Sequence, residues 1–209
     1  MSSASSSTIL SIYNSRNTIV QIMHKLNYNI EEYDVFSINE INAMFLNNQL
    51  DILLTHNTEP KKIYIKYYLN GKQIRSALDN IIEDLFEIES VLTKNDTLVI
   101  IIDEEPNETI INKIMYLYEH DGIFIVIHNI KRLQYNILNH VLIPNVDILN
   151  EQEVEKLKQK YNLNTLKQLP EISRFDPLAL IVHLKPNQVI KLLRKSPTAI
   201  NTEYYRVCI

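Results

Sequence analysis

The sequence predicts an α/β protein of two domains, a larger N-terminal one with a small helix-covered sheet and a small C-terminal one. In the first part, short and wholly apolar runs of strand length alternate with segments of helical periodicity. The formal net charge also changes, from −7 over residues 1–170 to +3 over residues 171–209. The chain has 209 residues, a length that suits one domain of ordinary size, or one medium and one small domain.

The first two predicted elements are helices. Apolar residues recur at three- and four-residue spacing over residues 8–27, and Ser7 or Thr8 is suited to cap this helix. A second, short helix is predicted over residues 37–46. Its inward side is expected to consist of Ile38, Ile41, Met44 and Phe45.

Strands and helices then alternate along the chain. Residues 61–69 have the period of two that is typical of a strand with one buried face, and Asn70–Gly71 is a turn signal. The next predicted elements are a helix at 74–92, a strand at 98–102, a helix at 107–120 and a strand at 123–127. This order predicts right-handed crossovers and a sheet with a parallel core covered by helices.

The end of the chain, Leu169–Ile209, carries a helix start signal. Asp176 is a typical N-cap residue, and Pro177 suits the first helical position, where an N–H group is not needed. The elements expected in this domain are a helix through Tyr161 opened by the capping pair Asn150 and Glu153, a helix at 177–183, a turn at 185–187, strands at 189–194 and 204–209, and a polar loop between these strands at 195–203.

This C-terminal stretch resembles the assembly domain of the fifth shared subunit of eukaryotic nuclear RNA polymerases, which has a shorter counterpart in the archaeal polymerase. The spacing matches from end to end without a gap. The residues that carry the resemblance are Leu169, Pro170, Ile172, Asp176, Pro177, Ala179, Leu184, Lys185, Val189, Lys191, Arg194, Ser196, Thr198, Tyr205, Arg206 and Cys208. The segment His140–Pro144 resembles the start of that domain, and the α/β layout before it is similar to the family's N-terminal jaw domain. The resemblance therefore predicts an N-terminal α/β jaw domain with a small helix-covered sheet (residues 1–140) and a small α+β C-terminal assembly domain (residues 141–209).

The chain departs from the family pattern at three positions. The family usually has Gly where this sequence has His183, Asn187 and Ile200. Asn tolerates a left-handed backbone better than most residues, whereas His and especially the β-branched Ile do so less well. These departures suggest a fast-evolving lineage, such as a large DNA virus that encodes its own polymerase.

The resemblance implies a non-catalytic structural subunit of a multisubunit DNA-directed RNA polymerase. The jaw domain is then expected near downstream DNA, and the assembly domain is expected to anchor the chain to the largest polymerase subunit. The candidate partner-binding residues are Lys191, Arg194, Tyr204, Tyr205 and Arg206. The candidate residues near downstream DNA are Pro106, Asn107 and Thr109. The net charge of −4 means that other chains should supply most of the positive field for DNA.

The sequence predicts no catalytic site, cofactor or metal. Six histidines are scattered without metal-ligand spacing, and no cysteine cluster accompanies them. The two glycines of the chain cannot form a usual phosphate-binding loop, and no nucleophile-elbow motif is present. We expect Cys208, the single cysteine, to be a small buried strand residue in a protein of a reducing compartment.

The predicted compartment follows from the same features. No apolar run is long enough to span a membrane, and the Ser-rich start lacks the pattern of a signal peptide. The resemblance implies the nucleus, or a virion or cytoplasmic replication site if the protein is viral.

Two other interpretations stay open at this stage. One is a regulator that has borrowed the assembly domain and docks transiently on a polymerase. The other is an unrelated enzyme of flavodoxin-like layout with a site near Asp103, because the carboxyl ends of parallel strands are where such enzymes place their sites.

Overall fold

The structure is a computed structural model that describes residues 6–33, 36–69 and 74–209. The chain divides into two compact units, an N-terminal unit (Met1–Asn136) and a C-terminal unit (Ile137–Ile209). The helices and strands confirm the predicted α/β class. They are, in chain order, α1 (Ser6–Lys25), α2 (Ile38–Leu46), β1 (Ile52–Thr55), β2 (Lys62–Tyr68), α3 (Ile74–Ile82), β3 (Thr97–Ile102), α4 (Glu108–Asp121), β4 (Phe124–Asn129), β5 (Asn145–Ile148), α5 (Glu151–Tyr161), β6 (Glu171–Ile172), α6 (Pro177–Ile181), β7 (Val189–Ser196) and β8 (Ile200–Cys208).

The N-terminal unit is built on a sheet with the strand order β1-β2-β3-β4. Strands β2, β3 and β4 are parallel, which confirms the parallel core predicted from the strand–helix alternation. Every residue of β3 and of β4 is buried, as expected for strands that are covered on both faces. Strand β1 pairs antiparallel with β2 and was not predicted, because four residues give too short a pattern to recognise.

Helices cover both faces of this sheet. On one face, Leu78 of α3 and Ile114 of α4 pack with Leu98, Ile100 and Ile125 of the sheet in one apolar cluster. On the other face, α1 meets β2, and the hydroxyl oxygens of Ser15 and Tyr67 lie 3.4 Å apart. The sheet is therefore the middle layer of the unit.

Three details of the predicted helices are wrong. Ser7 and Thr8 lie inside α1, which already includes Ser6, so neither residue caps this helix. The helix expected over residues 74–92 ends earlier: α3 changes into a π-helical segment at Glu83–Ile88, and Ser90 has a positive φ of 50°. Leu92 is buried in the same apolar cluster, but it lies in the loop that follows the helix. Its spacing from the apolar residues of α3 therefore resembles a continuation of the helix. Ile38 is 46% exposed and does not face inward. The predicted turn at Asn70–Gly71 lies outside the described residues.

The C-terminal unit is a second four-stranded sheet with the order β5-β7-β8-β6. Strands β7 and β8 form an antiparallel hairpin, β5 is antiparallel to β7, and β6 is parallel to β8. Both predicted caps are confirmed. Asn150 and Glu153 form a capping box at the start of α5, and the N–H group of Leu178 donates to Asp176 Oδ1 at 2.9 Å at the start of α6.

The polar loop predicted over residues 195–203 is wrong. Strand β7 continues to Ser196 and β8 begins at Ile200, so only residues 197–199 form the turn. The pairs Arg194–Thr202 and Lys195–Asn201 lie in register inside the hairpin. The polar residues indicated a loop here. This end of the hairpin is exposed, so polar side chains suit it, and the backbone hydrogen bonds between β7 and β8 extend both strands. The short strands β5 and β6 were also not predicted.

All three residues that replace the usual glycine of the resembling family have a left-handed backbone. Their φ angles are +52° at His183, +68° at Asn187 and +60° at Ile200. The local turn shape is therefore the one that glycine adopts without strain. For Ile200 this conformation is costly, since a β-branched residue with a positive φ is a genuine outlier.

Replacing Ile200 by Gly is expected to raise the free energy of unfolding. The left-handed backbone costs an L-residue roughly 1–2 kcal/mol, and a part of this gain is offset by the greater entropy of Gly in the unfolded chain. Ile200 is 82% exposed, so little packing is lost. Thr202→Gly is the matched control, because Thr202 lies in the same strand without a positive φ, and it should lower stability by about 0.5–1 kcal/mol. Chemical denaturation of both variants checks this, and equal destabilisation would contradict it.

Candidate docking surface

The β7–β8 hairpin carries all five residues predicted to bind a partner, but it divides them between two faces. Side chains alternate along a strand, and the register pairs Lys191 with Tyr205 and Leu192 with Tyr204. Arg194, Tyr204 and Arg206 therefore share one face, while Lys191 and Tyr205 lie on the other. The five residues do not form a single patch.

On the first face, the Tyr204 ring lies between two guanidinium groups. The Cζ atoms of Arg194 and Arg206 are each 5.4 Å from the ring centroid, which is within cation–π range. We call these three residues the Arg–Tyr–Arg face. Arg194 is exposed, and Tyr204 and Arg206 are half-buried. The two cation–π contacts favour this arrangement of two positive charges around one ring.

Arg206 is only partly satisfied within the chain. Its Nη1 donates to the carbonyl oxygen of Glu171 at 3.3 Å. Its Nε is buried and has no hydrogen-bond partner among the described residues. A buried donor without a partner costs free energy, so the position of this side chain carries a cost within the chain.

On the opposite face, Lys191 and Tyr205 are engaged by Glu203. Lys191 Nζ lies 2.6 Å from Glu203 Oε1, the Tyr205 hydroxyl donates to Oε2 at 2.8 Å, and Lys160 Nζ is 3.5 Å from Oε2. The hydrogen bond from Lys191 is the main reason that the pKa of Glu203 falls to about 2, and it also raises the pKa of Lys191. Burial and the Glu203 bond raise the pKa of Tyr205 to about 12. These residues form an intramolecular network that joins the hairpin to α5.

This network also shows what the sequence interpretation missed. Glu203 was assigned to a loop, so its charge was not set against the basic residues of the hairpin. The register pairs Leu193 with Glu203, which puts Glu203 on the same face as Lys191. If the period-two alternation of the two strands had been extended beyond residue 200, it would have placed Lys191 and Glu203 on the same face.

The outer edge of β8 offers backbone groups to a partner. Strand β6 pairs with only Val207 and Cys208, so no described strand lies on that side of β8 from residue 200 to residue 206. Unpaired N–H and C=O groups at such an edge are a template for an added strand.

Cys208 is a buried structural residue, as predicted. It is 1% exposed at the end of β8, and its Sγ lies 3.8 Å from the carbonyl oxygen of Leu184. Burial raises the pKa of this thiol to about 11. The side chain is therefore held as a neutral thiol and is a poor nucleophile.

The residues predicted to lie near DNA follow β3 at the carboxyl edge of the N-terminal sheet. Asn107 caps α4, and its Oδ1 accepts the N–H of Ile110 at 3.0 Å. Thr109 is exposed in the first turn of that helix, and Pro106 is half-buried. Asn107 therefore uses its carbonyl oxygen within the chain and keeps its amide group for outside contacts.

The same edge carries basic residues that the sequence interpretation did not connect with this loop. Glu105 Oε1 lies 3.0 Å from Arg132 Nε and accepts from the side-chain amide of Asn129 at 3.2 Å. Lys131 and Arg132 are both exposed. They follow β4, which pairs with β3 in parallel register, and the carboxyl ends of such strands meet at one edge. The acidic loop is thus partly neutralised.

The carboxylates at this edge are exposed to solvent. Asp103 and Glu104 are exposed, and Glu105 is engaged by Arg132. Within the described residues, no group of three His, Cys, Asp or Glu side chains is arranged to hold a metal ion. None of the described helices is long and apolar enough to cross a membrane.

Comparison with known proteins identifies the C-terminal part of the chain. Residues 135–208 match the family described as RNA polymerase Rpb5, C-terminal domain. The DNA-directed RNA polymerase subunit Rpo5 of Thermococcus kodakarensis is 43% identical over 76 residues, which cover 36% of this chain and 92% of the relative. Subunits of that name from Methanococcus maripaludis and Methanocaldococcus jannaschii are 41% and 36% identical, with 34% and 35% of this chain and 90% and 92% of the relatives covered.

Each of these relatives is named a subunit of a DNA-directed RNA polymerase and has almost no sequence outside the matched region. The matched region is therefore a domain of polymerase subunits. The chain belongs to the Rpb5-type family of RNA polymerase subunits. The resemblance that the C-terminal residues predicted is thereby confirmed.

Proposed function

We propose that the chain is a structural, non-catalytic subunit of a multisubunit DNA-directed RNA polymerase. Its C-terminal unit anchors it to the largest subunit, and its N-terminal unit forms part of the lower jaw near downstream DNA. One observation carries the proposal. The segment that matches the polymerase family, residues 135–208, coincides with the compact unit Ile137–Ile209. A relative that consists of little more than this segment is itself named a polymerase subunit.

The Arg–Tyr–Arg face is the part of the C-terminal unit best suited to anchor it. Arg and Tyr are the residue types that most often dominate binding free energy at protein interfaces. Arg194 and Arg206 are held against Tyr204 in advance, so fewer rotamers are lost on docking. The two guanidinium groups can donate hydrogen bonds to carboxylate or carbonyl oxygens on the largest subunit. On the opposite face, Lys191 and Tyr205 already bind Glu203, so this face contributes less to binding the largest subunit.

The carboxyl edge of the N-terminal sheet is the part best suited to approach DNA. Lys131 and Arg132 supply positive charge there, and the Asn107 amide and Thr109 hydroxyl supply hydrogen-bond donors. Phosphate contacts of this kind position a duplex without reading its sequence. Since the chain has a net charge of −4, the rest of the polymerase supplies most of the attraction. The nucleotidyl transfer and its metal ions belong to other subunits.

The stoichiometry of association tests this proposal. A core subunit that is tagged and purified from its native source brings down the two largest polymerase subunits in equal amount. A transient regulator would recover them in smaller amount and lose them in high salt. The protein works where its polymerase transcribes, which is the nucleus, or the virion and cytoplasmic replication site if the protein is viral.

A further inference from the structure

A groove in the N-terminal unit is lined in part by residues that precede β3 and β4, so it lies away from the carboxyl edge of the sheet. It has a volume of about 530 Å³, within the range of sites that hold small ligands or short peptide segments. Its apolar lining consists of Ile82, Phe86, Leu92, Leu117 and Ile123. Phe86 and Leu117 are only half-buried, so an apolar side chain that enters the groove would bury the remaining exposed surface of these two residues.

The rim of the groove is acidic. Among the described residues, the carboxylates of Asp79, Glu83, Glu87 and Asp121 line it together with the ammonium group of Lys94. Asp79 forms an ion pair with Lys113. Among the described residues, no ion pair neutralises Glu83, Glu87 or Asp121, and all three are exposed. The rim therefore keeps an excess of negative charge around an apolar floor.

Two helix features add to this negative field and shape. Asp121 is the last residue of α4, where the carbonyl groups of the helix end already carry partial negative charge. Glu83 and Glu87 lie on the π-helical segment Glu83–Ile88, a rare conformation that occurs frequently at functional sites. The bond from the N–H group of Glu89 to the carbonyl of Asp84, at 2.8 Å, has the five-residue spacing of this conformation.

We propose that this acidic groove binds a basic amphipathic segment of a partner protein. Apolar side chains of that segment occupy the space over Phe86 and Leu117, and its Lys or Arg residues pair with Glu83, Glu87 and Asp121. Helices that lay an apolar face into a groove are a recurrent mode of peptide recognition. The charge disfavours nucleic acid, because a phosphate backbone would meet carboxylates.

A designed peptide pair tests the proposal on the full chain. The basic peptide is a helix with Leu at positions i, i+3, i+4 and i+7 and Lys elsewhere, and the acidic peptide has Glu in place of each Lys. We expect the basic peptide to bind in fluorescence anisotropy, with an affinity that falls as salt rises. The double variant Glu83→Lys/Glu87→Lys should weaken binding roughly tenfold or more, since two attractions become repulsions.

Two further variants make the test specific to the groove. Lys94→Glu reverses the charge of the cation among the described residues that line the groove, and it should strengthen binding of the basic peptide. Glu31→Lys/Glu32→Lys changes the net charge as much as the reversal does, at two exposed residues outside the groove lining, and should have a much smaller effect. The proposal is overturned if the basic peptide does not bind, if the acidic peptide binds equally well, if both charge reversals act alike, or if the groove proves to be the contact between two copies of the chain.

Discussion

The double variant Arg194→Glu/Arg206→Glu is expected to lose its association with the polymerase. Truncating one partner of a buried charged pair at an interface costs about 2–5 kcal/mol, and reversal adds repulsion to this loss. Recovery of the largest subunit with the tagged variant should therefore fall below about one tenth of the wild-type value. Quantitative mass spectrometry of the purified complex measures this ratio.

A matched control separates docking from net charge. Lys156→Glu/Lys167→Glu changes the charge equally, at two exposed lysines on α5 and in the short helical turn at Leu166–Gln168. Leu157 and Leu166 pack on the hairpin face that includes Val189 and Val207, which is opposite to the Arg–Tyr–Arg face. This control should retain normal recovery.

The fold of the double variant must be checked, because Arg206 also donates to the carbonyl oxygen of Glu171. Circular dichroism and the denaturation midpoint report folding, and Arg206→Lys keeps the charge at that position. Normal incorporation of a folded Arg194→Glu/Arg206→Glu protein would rule out the Arg–Tyr–Arg face as the anchor.

Acidification is expected to destabilise the N-terminal unit through His128. This residue lies in β4 and is 6% exposed, and burial, followed by the positive charge of Arg132, lowers its pKa from 6.5 to about 4. Between pH 6.5 and 4 the unfolded chain binds a proton at this position that the folded chain does not. The free energy of unfolding should therefore fall as the pH is lowered through this window, by up to about 3 kcal/mol at its lower end.

Comparison with a variant isolates this contribution from the carboxylates that titrate below it. His128→Gln removes the titrating group, and its unfolding free energy should fall less between pH 7 and pH 4.5 than that of the wild type. The difference between the two proteins should be roughly 2–3 kcal/mol, measured by urea denaturation at both pH values. Parallel pH profiles for the two proteins would show that the folded chain accommodates a charged His128.

The sequence was a good guide where burial fixes the pattern. The wholly apolar runs at 98–102 and 123–127 correspond to β3 and β4, because strands covered on both faces leave no room for polar residues. The caps at Asn150 and Asp176 were found because a side-chain oxygen at that position has one clear use. Local chemistry alone decides such features.

The sequence was a poor guide where distant pairing decides the structure. Strands β1, β5 and β6 have two to four residues, and the partner strand supplies the order that their own pattern lacks. The hairpin extension over residues 195–196 and 200–203 also depends on pairing across the turn. No sequence period indicated the π-helical segment or the groove that it lines.

The candidate surface was predicted by residue type but not by arrangement. Tyr204 and Arg206 are predicted because aromatic and Arg residues favour interfaces, and Arg194 is predicted because it belongs to the basic run of the hairpin. Their stacking, and the separation of Lys191 and Tyr205 onto the other face, follow only from the register of β7 and β8. Which of these residues bind the largest subunit stays a prediction.

The most direct test of the account is the amount of the largest polymerase subunit that remains with the tagged chain after a high-salt wash of material from the native source. A core subunit anchored through Ile137–Ile209 predicts equimolar recovery with the two largest subunits. Recovery of the folded chain without them, or only in small, salt-labile amounts, would contradict the account and would mean that the family domain serves another partner.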